Sequence, residues 1–363
     1  MGARPEFPVI TAIGRPEERG WMYGRQARDR ITTAISAYAR VFRHYADWDW
    51  EQVRRHAERF APVIADFSPS SAREIKAIAQ GAGVEESDIL ALNTRSEIMF
   101  ATAASRMPSE CTSFALTDGD AVVAGQNWDW LVQSRDTAVV LKVHRDDGPD
   151  LVTVVEAGML AKAGLNESGV GLCTNTLISD KDEGRLGVPY HLLLRAALDS
   201  DDGPSAAKRI DEADRANSAN YLIVDSTGYC SDLETTPGTG PAGRIGLDNG
   251  VLTHSNHFLT TGLTGRDLYT ERKPHTLNRR DNLDGNLRRM NTPTLDKIVT
   301  ALGDHRDAPS SVCQHPDDRL PPEERTCTVA GVVLDTTKAV MHVAAGNPCE
   351  AIWRQVSLRK GEG

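Results

Sequence analysis

"ECTSFALTDGDAVVAGQNWDW", residues 110–130, carries two apolar runs joined by the turn signal Asp118-Gly119-Asp120, which predicts a pair of antiparallel strands. Cys111 opens the first strand. Side chains alternate faces along a strand, so Asn127 and Asp129 share one face of the second strand and Trp128 and Trp130 the other. Two polar groups side by side are costly if buried without partners, so this face is either exposed or part of a site. A cysteine is most often a small buried hydrophobe. Cys111 differs in standing at a change of sequence texture, directly ahead of a strand with paired polar residues.

That texture changes near residue 110. Before it, after a short strand in "FPVITAIG", the pattern is helical: Ile31, Ile35, Tyr38 and Phe42 recur every three or four positions. "WEQVRRHAERFAPVIADF" predicts a second helix and "SPSSAREIKAIAQGAGV" a third, with Ser71 and Glu74 spaced as a capping box. "EESDILALNTRSEIMFA" predicts a fourth. After residue 110, "TSFALT", "DAVVAGQNWDW", "TAVVLKVHR" and "DLVTVVEAG" read as an antiparallel meander. "AGLNESGVGLCTNTL" predicts a hairpin with Asn166–Gly169 at its tip. Two helices follow, then strands, a polar stretch "RKPHTLNRRDNLDGNLRRM" that reads as surface helix or loop, a helix at "TLDKIVTALGDH", and three closing strands. Helices first and then strands, helices and strands predict an α+β fold, with helices layered on antiparallel sheets in one domain.

The 363 residues suffice for a large core, and 40% hydrophobic with 25% charged residues is a globular composition. A net charge of −10, with both signs interspersed, counts against a nucleic-acid partner. No apolar run approaches the roughly 20 residues of a membrane span. Arg4, Glu6, Arg15, Glu17, Glu18 and Arg19 leave no secretory apolar segment, so the expected location is cytoplasmic. The six cysteines form no CxxC pair, which predicts free thiols rather than disulfides. His254 with His257, and Cys313 with His315 and Asp317, are the candidate metal ligands. Without HExxH or paired CxxC, no metal is expected.

"ECTSFAL", "GQNWDW", "AGLNESGVGLCTNTL" and "HSNHF", with "IGRPEERGWMYGRQARDRI" near the start, resemble the acyl-coenzyme A:6-aminopenicillanic acid acyltransferase family of cysteine N-terminal-nucleophile hydrolases. The resemblance covers nearly the whole chain. It implies a four-layer αββα sandwich with antiparallel sheets, made as a precursor that cuts itself between Glu110 and Cys111. Residues 1–110 and 111–363 would then be two chains of one domain. The chain departs from the best-known member in having Glu110 where that enzyme has glycine.

The chemistry explains these residue types. A cysteine is nucleophilic as thiolate, and the α-amine freed by cleavage is a general base on the same residue. The resemblance implies that Asp129 orients this amine, with Asn127 in support, and that Asn256 and Asn175 donate to the oxyanion. It also implies a late arginine facing the nucleophile, for which Arg325 is the candidate. Trp128 and Trp130 are candidate walls of an acyl pocket. The expected reaction is hydrolysis or acyl transfer at a linear amide of a small N-acyl compound. No cofactor is expected, acyl-coenzyme A being admitted as an acyl-donor substrate and a homo-oligomer allowed. Two other readings stay open: a papain-like cysteine–histidine hydrolase without self-cleavage, and an inactive binding protein of the same fold.

Overall fold

The computed structural model describes residues 6–102, 110–119, 121–241, 243–262 and 265–358. Strand β1 (Val9–Gly14) leads into seven helices: α1 (Pro16–Gln26), α2 (Arg28–Ala46), α3 (Trp50–Glu58), α4 (Ala61–Phe67), α5 (Pro69–Ala82), α6 (Glu86–Asn93) and α7 (Arg95–Phe100). In α2 the residues Ile31, Ala34, Tyr38, Val41 and Phe42 are all buried, the stripe that helical periodicity predicts. Three predicted helices are each broken in two, at Ala27, near Phe60 and at Thr94. The cap of α5 is Ser68, whose hydroxyl accepts from the Ser71 N–H. Glu74 is not a capping residue: it lies buried between the guanidinium groups of Arg19 and Arg195.

The strands follow as β2 (Glu110–Asp118), β3 (Ala121–Leu131), β4 (Ala138–Arg145), β5 (Leu151–Glu156), β6 (Ala163–Asn166) and β7 (Gly171–Thr176). After helices α8 (Tyr190–Leu198) and α9 (Gly203–Glu212) come β8 (Ala219–Val224), β9 (Cys230–Thr235), β10 (Gly243–Ile245) and β11 (Val251–His254). The chain closes with α10 (Leu268–Arg272), α11 (His275–Arg288), α12 (Leu295–Leu302), β12 (Thr326–Asp335), β13 (Val340–Ala345) and β14 (Trp353–Ser357).

These strands form two sheets, ordered β1-β4-β5-β6-β7-β8-β9-β10 and β11-β2-β3-β12-β13-β14. β1 joins β4 in parallel, and the other pairs of named strands are antiparallel. The expected meander is corrected at one point. After β3 a 3₁₀ turn at Val132–Arg135 carries the chain into the other sheet, so β3 does not pair with β4. The sheets face each other across an apolar core that includes Cys111, Ala115, Trp128, Leu165 and Leu172. Helices α8 and α9 pack on the far side of the first sheet, and α11 on the far side of the second. There Phe114, Leu116, Leu283, Leu287 and Leu302 make a second, smaller core. The result is the expected α+β order of helix, sheet, sheet, helix. Among the described residues no helix is long and apolar enough to cross a membrane.

Candidate active site

Strand β2 lies inside its sheet, hydrogen-bonded to β11 on one side and β3 on the other. Cys111 sits opposite Trp128, and Glu110 opposite Asp129. β11 ends with His254 opposite Ser113, which brings Asn256, two residues on, beside Cys111. There the Cys111 N–H donates to Asn256 Oδ1 at 2.8 Å. Alternation then divides the site. Cys111 faces the space between the sheets, while Glu110 and Thr112 face the α11 side.

On the α11 side a buried guanidinium organises the backbone around the thiol. Arg279, fully buried, donates to the Cys111 carbonyl at 2.7 Å, to Thr112 Oγ1 at 2.9 Å and to Asn256 Oδ1 at 2.8 Å. Its Nε lies 3.6 Å from the Glu110 carboxylate. Lys273 Nζ at 3.0 Å and His275 Nε2 at 2.9 Å complete a cationic cradle for Glu110. Burial by itself would raise the Glu110 carboxyl, but Arg279, His275 and Lys273 together hold it well below the usual range. The residue before Cys111 is therefore an anchored anion.

Asp129 is also fully buried on this side. Its Oδ1 accepts from Thr328 Oγ1 at 2.6 Å, and its Oδ2 has no hydrogen-bond partner. Burial pushes its carboxyl up to about 7, against the pull of Arg279 and Thr328. A buried carboxyl this short of hydrogen-bond partners can accept a cation brought beside it.

Between the sheets, Lys162 is buried near the thiol, its ammonium 5.2 Å from the Trp128 ring centroid and 5.9 Å from that of Tyr190. Burial raises the Cys111 thiol, and the charges of Lys162 and, less strongly, Arg279 oppose the rise. Burial correspondingly lowers the Lys162 ammonium. Among the described residues no histidine bonds to the Cys111 sulfur, whose one polar contact is the Asp129 carbonyl at 4.0 Å.

Of the residues singled out in the sequence, the fold brings Glu110, Cys111, Asp129, Asn256 and Trp128 together and sends the others elsewhere. Asn127 does share a face with Asp129, but its amide donates to the carbonyls of Leu302 and Val312 at 2.8 Å each, pinning the end of α12. It supports the scaffold rather than the thiol. Asn175 spends its amide protons on Ser113 Oγ at 2.7 Å and Asn220 Oδ1 at 2.9 Å, in a polar network that continues to His254. It is not free to donate to an oxyanion. Asn256 Nδ2, by contrast, uses one proton on the Thr176 carbonyl, and the other finds no acceptor among the described residues. Trp130 donates to Tyr38 and stacks with Arg95, so it belongs to the contact between sheet and leading helices. Arg325 is corrected outright: its guanidinium binds the carbonyls of Leu320 and Asp318 in the loop before β12. The arginine at the nucleophile is Arg279.

Arg279 and Lys162 went unnoticed in the sequence, yet each left a trace. Thr276, Arg279, Leu283 and Leu287 are the buried residues of α11, an i, i+3, i+7, i+11 stripe in which one arginine replaces an apolar residue. Lys162 is the single charge in "AGMLAKAGL", residues 157–165.

The family model described as acyl-coenzyme A:6-aminopenicillanic acid acyl-transferase matches residues 116–350, from within β2 to the turn before β14. The 40 kDa form of acyl-coenzyme A:6-aminopenicillanic-acid-acyltransferase from Emericella nidulans is 29% identical over 254 residues, 69% of each chain. Among solved structures, a Caenorhabditis elegans N-acylethanolamine-hydrolyzing acid amidase ortholog aligns at 11% identity and a TM-score of 0.47, covering 62% of this chain and 93% of that one. Penicillin V acylase from Agrobacterium tumefaciens aligns at 12% identity and a TM-score of 0.45, covering 69% and 87%. With the family model spanning well over half its length, this chain belongs to the acyl-coenzyme A:6-aminopenicillanic acid acyl-transferase family.

Proposed function

We propose that the protein is a self-processing cysteine N-terminal-nucleophile enzyme that transfers or hydrolyses the acyl group of a linear amide in a small N-acyl compound. The observation that carries this reading is the hold on the Glu110–Cys111 peptide bond. Its N–H is fixed by Asn256, the following carbonyl by Arg279, and the side chain before it by the cradle of Lys273, His275 and Arg279. In the uncut chain Cys111 is 1% exposed, so the first amide within its reach is its own.

Self-cleavage begins with the sulfur attacking the Glu110 carbonyl carbon. The C–N bond breaks, the thiol proton passes to the departing nitrogen, and a thioester remains. Water then releases the Glu110 carboxylate, leaving Cys111 with a free thiol and an amine. The chains 1–110 and 111–363 stay together, because β1 is hydrogen-bonded to β4 and the leading helices share the main core. In turnover the amine is the base for the thiol. Asp129 holds the ammonium, and the spare Asn256 N–H meets the oxyanion. Lys162 and Trp128 line the side from which the thiol would meet an acyl group. Hydrolysis and acyl transfer share the thioester and differ in the acceptor, water or an amine.

The absence of a histidine at the sulfur, among the described residues, favours this reading over a papain-like one. Intact mass spectrometry of the wild type and a Cys111→Ala variant tests it, alongside release of acid from N-acyl amines. The expected result is two fragments meeting at Glu110/Cys111 in the wild type and one chain in the variant. An uncut wild type that still turns over amides would restore the papain-like reading. An uncut, inactive one would restore the binding-protein reading.

A further inference from the structure

We propose that His305, Cys313, His315 and Cys349 form a closed tetrahedral zinc site that fastens the loop 303–325 to the turn between β13 and β14. The ligand atoms of these four side chains all lie within 4.8 Å of one another. Cys313 Sγ and Cys349 Sγ are 3.6 Å apart, and His305 Nε2 and His315 Nε2 3.2 Å. Nε2 of His315 is 3.4 Å from Cys349 Sγ and 3.9 Å from Cys313 Sγ. Zinc bonds of about 2.3 Å to sulfur and about 2.0 Å to nitrogen, arranged tetrahedrally, give edges of roughly 3.8 Å between sulfurs, 3.3 Å between nitrogens and 3.5 Å for the mixed edges. The four observed edges are close to those of such a tetrahedron, and the two from His305 to the sulfurs are no longer than 4.8 Å, which leaves room for one ion.

The donor set suits zinc. Two thiolates balance the charge of a divalent ion, their two protons leaving to solvent on binding, and two neutral imidazoles complete four-coordination. A supporting shell is present as well. Asn347 Nδ2 donates to Cys313 Sγ at 3.3 Å and to the Gln314 carbonyl at 2.8 Å, and Arg135 donates to the Asn347 carbonyl oxygen and so fixes the amide. His305, His315 and Cys349 are exposed, which gives an ion its route in.

This site was missed in the sequence because its ligands come from three segments, and only Cys313 and His315 are close in the chain. Asp317, their neighbour in the chain, pairs with Arg319 instead. The site also bears on Asp129. The Gln314 N–H donates to Thr328 Oγ1 at 2.9 Å, and the Thr328 N–H donates to the Gln314 carbonyl at 2.8 Å. With its oxygen accepting from Gln314, the Thr328 hydroxyl directs its proton to Asp129. An ion at Cys313 and His315 would hold the residue between them, and through it this hydroxyl.

The test uses full-length protein purified without a histidine tag, equilibrated with zinc and dialysed. Elemental analysis is expected to find about one zinc per chain, falling below about a tenth in Cys349→Ser and in His305→Ala. Cobalt(II) in place of zinc is expected to give tetrahedral visible bands and a thiolate charge-transfer band, the latter weakened in Cys349→Ser. Chelation should lower the wild-type melting temperature and leave His305→Ala unmoved. Failure to retain zinc, with no cobalt–thiolate band, would overturn the proposal. So would a Cys313–Cys349 disulfide in the freshly purified, unreduced protein.

Discussion

Asp129→Asn, made in a Cys111→Ala background so that the chain stays uncut, should stabilise the protein at pH 8. The native carboxyl is fully buried, accepts one hydrogen bond from Thr328, and has an Oδ2 without a partner. Burial moves it from an unfolded value near 3.9 to about 7. Because the folded value is the higher one, the unfolded chain releases this proton first as pH rises. Stability is thus complete below about pH 4, falls between about pH 4 and 7, and is level above that. At about 1.4 kcal/mol per pH unit, the loss across this window is about 4 kcal/mol. The asparagine amide escapes it but places a donor where Oδ2 lacked a partner, which costs about 1–3 kcal/mol. The net gain at pH 8 is then about 1–3 kcal/mol.

Urea unfolding of both proteins at pH 4.5 and pH 8 measures this directly. The gain should shrink or change sign at the lower pH, with m-values unchanged. On the self-cleaving reading proposed above, the cut wild type provides the opposite case. There the Cys111 ammonium becomes the missing partner, so the fall in stability between pH 4 and 7 should flatten. A substitution that destabilises the uncut chain equally at both pH values would refute the reasoning, because it would mean Asp129 is already a well-paired anion.

Arg279→Met, in the same Cys111→Ala background, should cost about 3–5 kcal/mol in urea unfolding, since it strips Glu110 of its buried partner. Arg279→Lys should recover only part of this, because an ammonium cannot repeat the planar fork that reaches Cys111, Thr112 and Asn256. Asn256→Ala should lower kcat by about 10²–10³-fold in steady-state assays of whatever fraction is processed. Lys162→Met should raise the apparent thiol pKa of the processed enzyme, read from the pH dependence of alkylation by iodoacetamide.

The sequence carried the central pair of strands, and it did so because alternation is a local property. Cys111 and Asp129 can be found from "ECTSFAL" and "GQNWDW" once the strand period is applied. Which sheet a strand joins is not local. The turn signals after β3 and β10 resemble those within a sheet, yet the chain changes sheet at both. The fate of a polar side chain is equally non-local. Asn127 and Asn175 look like Asn256 in the sequence, but their amide protons are taken by groups far along the chain. Arg325 was placed by its position near a late strand, whereas Arg279 was hidden by arginines at positions 280, 288 and 289 around it. Burial alone separates Arg279 from them.

The two faces of the second sheet give the site its electrical logic. Lys162, a buried cation, lies on the face that carries the thiol, and Asp129, a buried carboxyl, lies on the opposite face with Thr328. Had both been on one side they would have paired and neutralised each other. Held apart, on the proposed reading each would serve one half of the residue between them, Lys162 a thiolate and Asp129 an ammonium. An uncut Cys111 can supply the first charge but never the second, because an amide nitrogen does not take up a proton near neutrality. In the intact chain the carboxyl thus stays poorly paired, and burial holds it up at about 7. On the self-cleaving reading proposed above, cleavage would relieve this electrostatic strain, because the new ammonium at Cys111 would complete the charge pairing that Asp129 lacks.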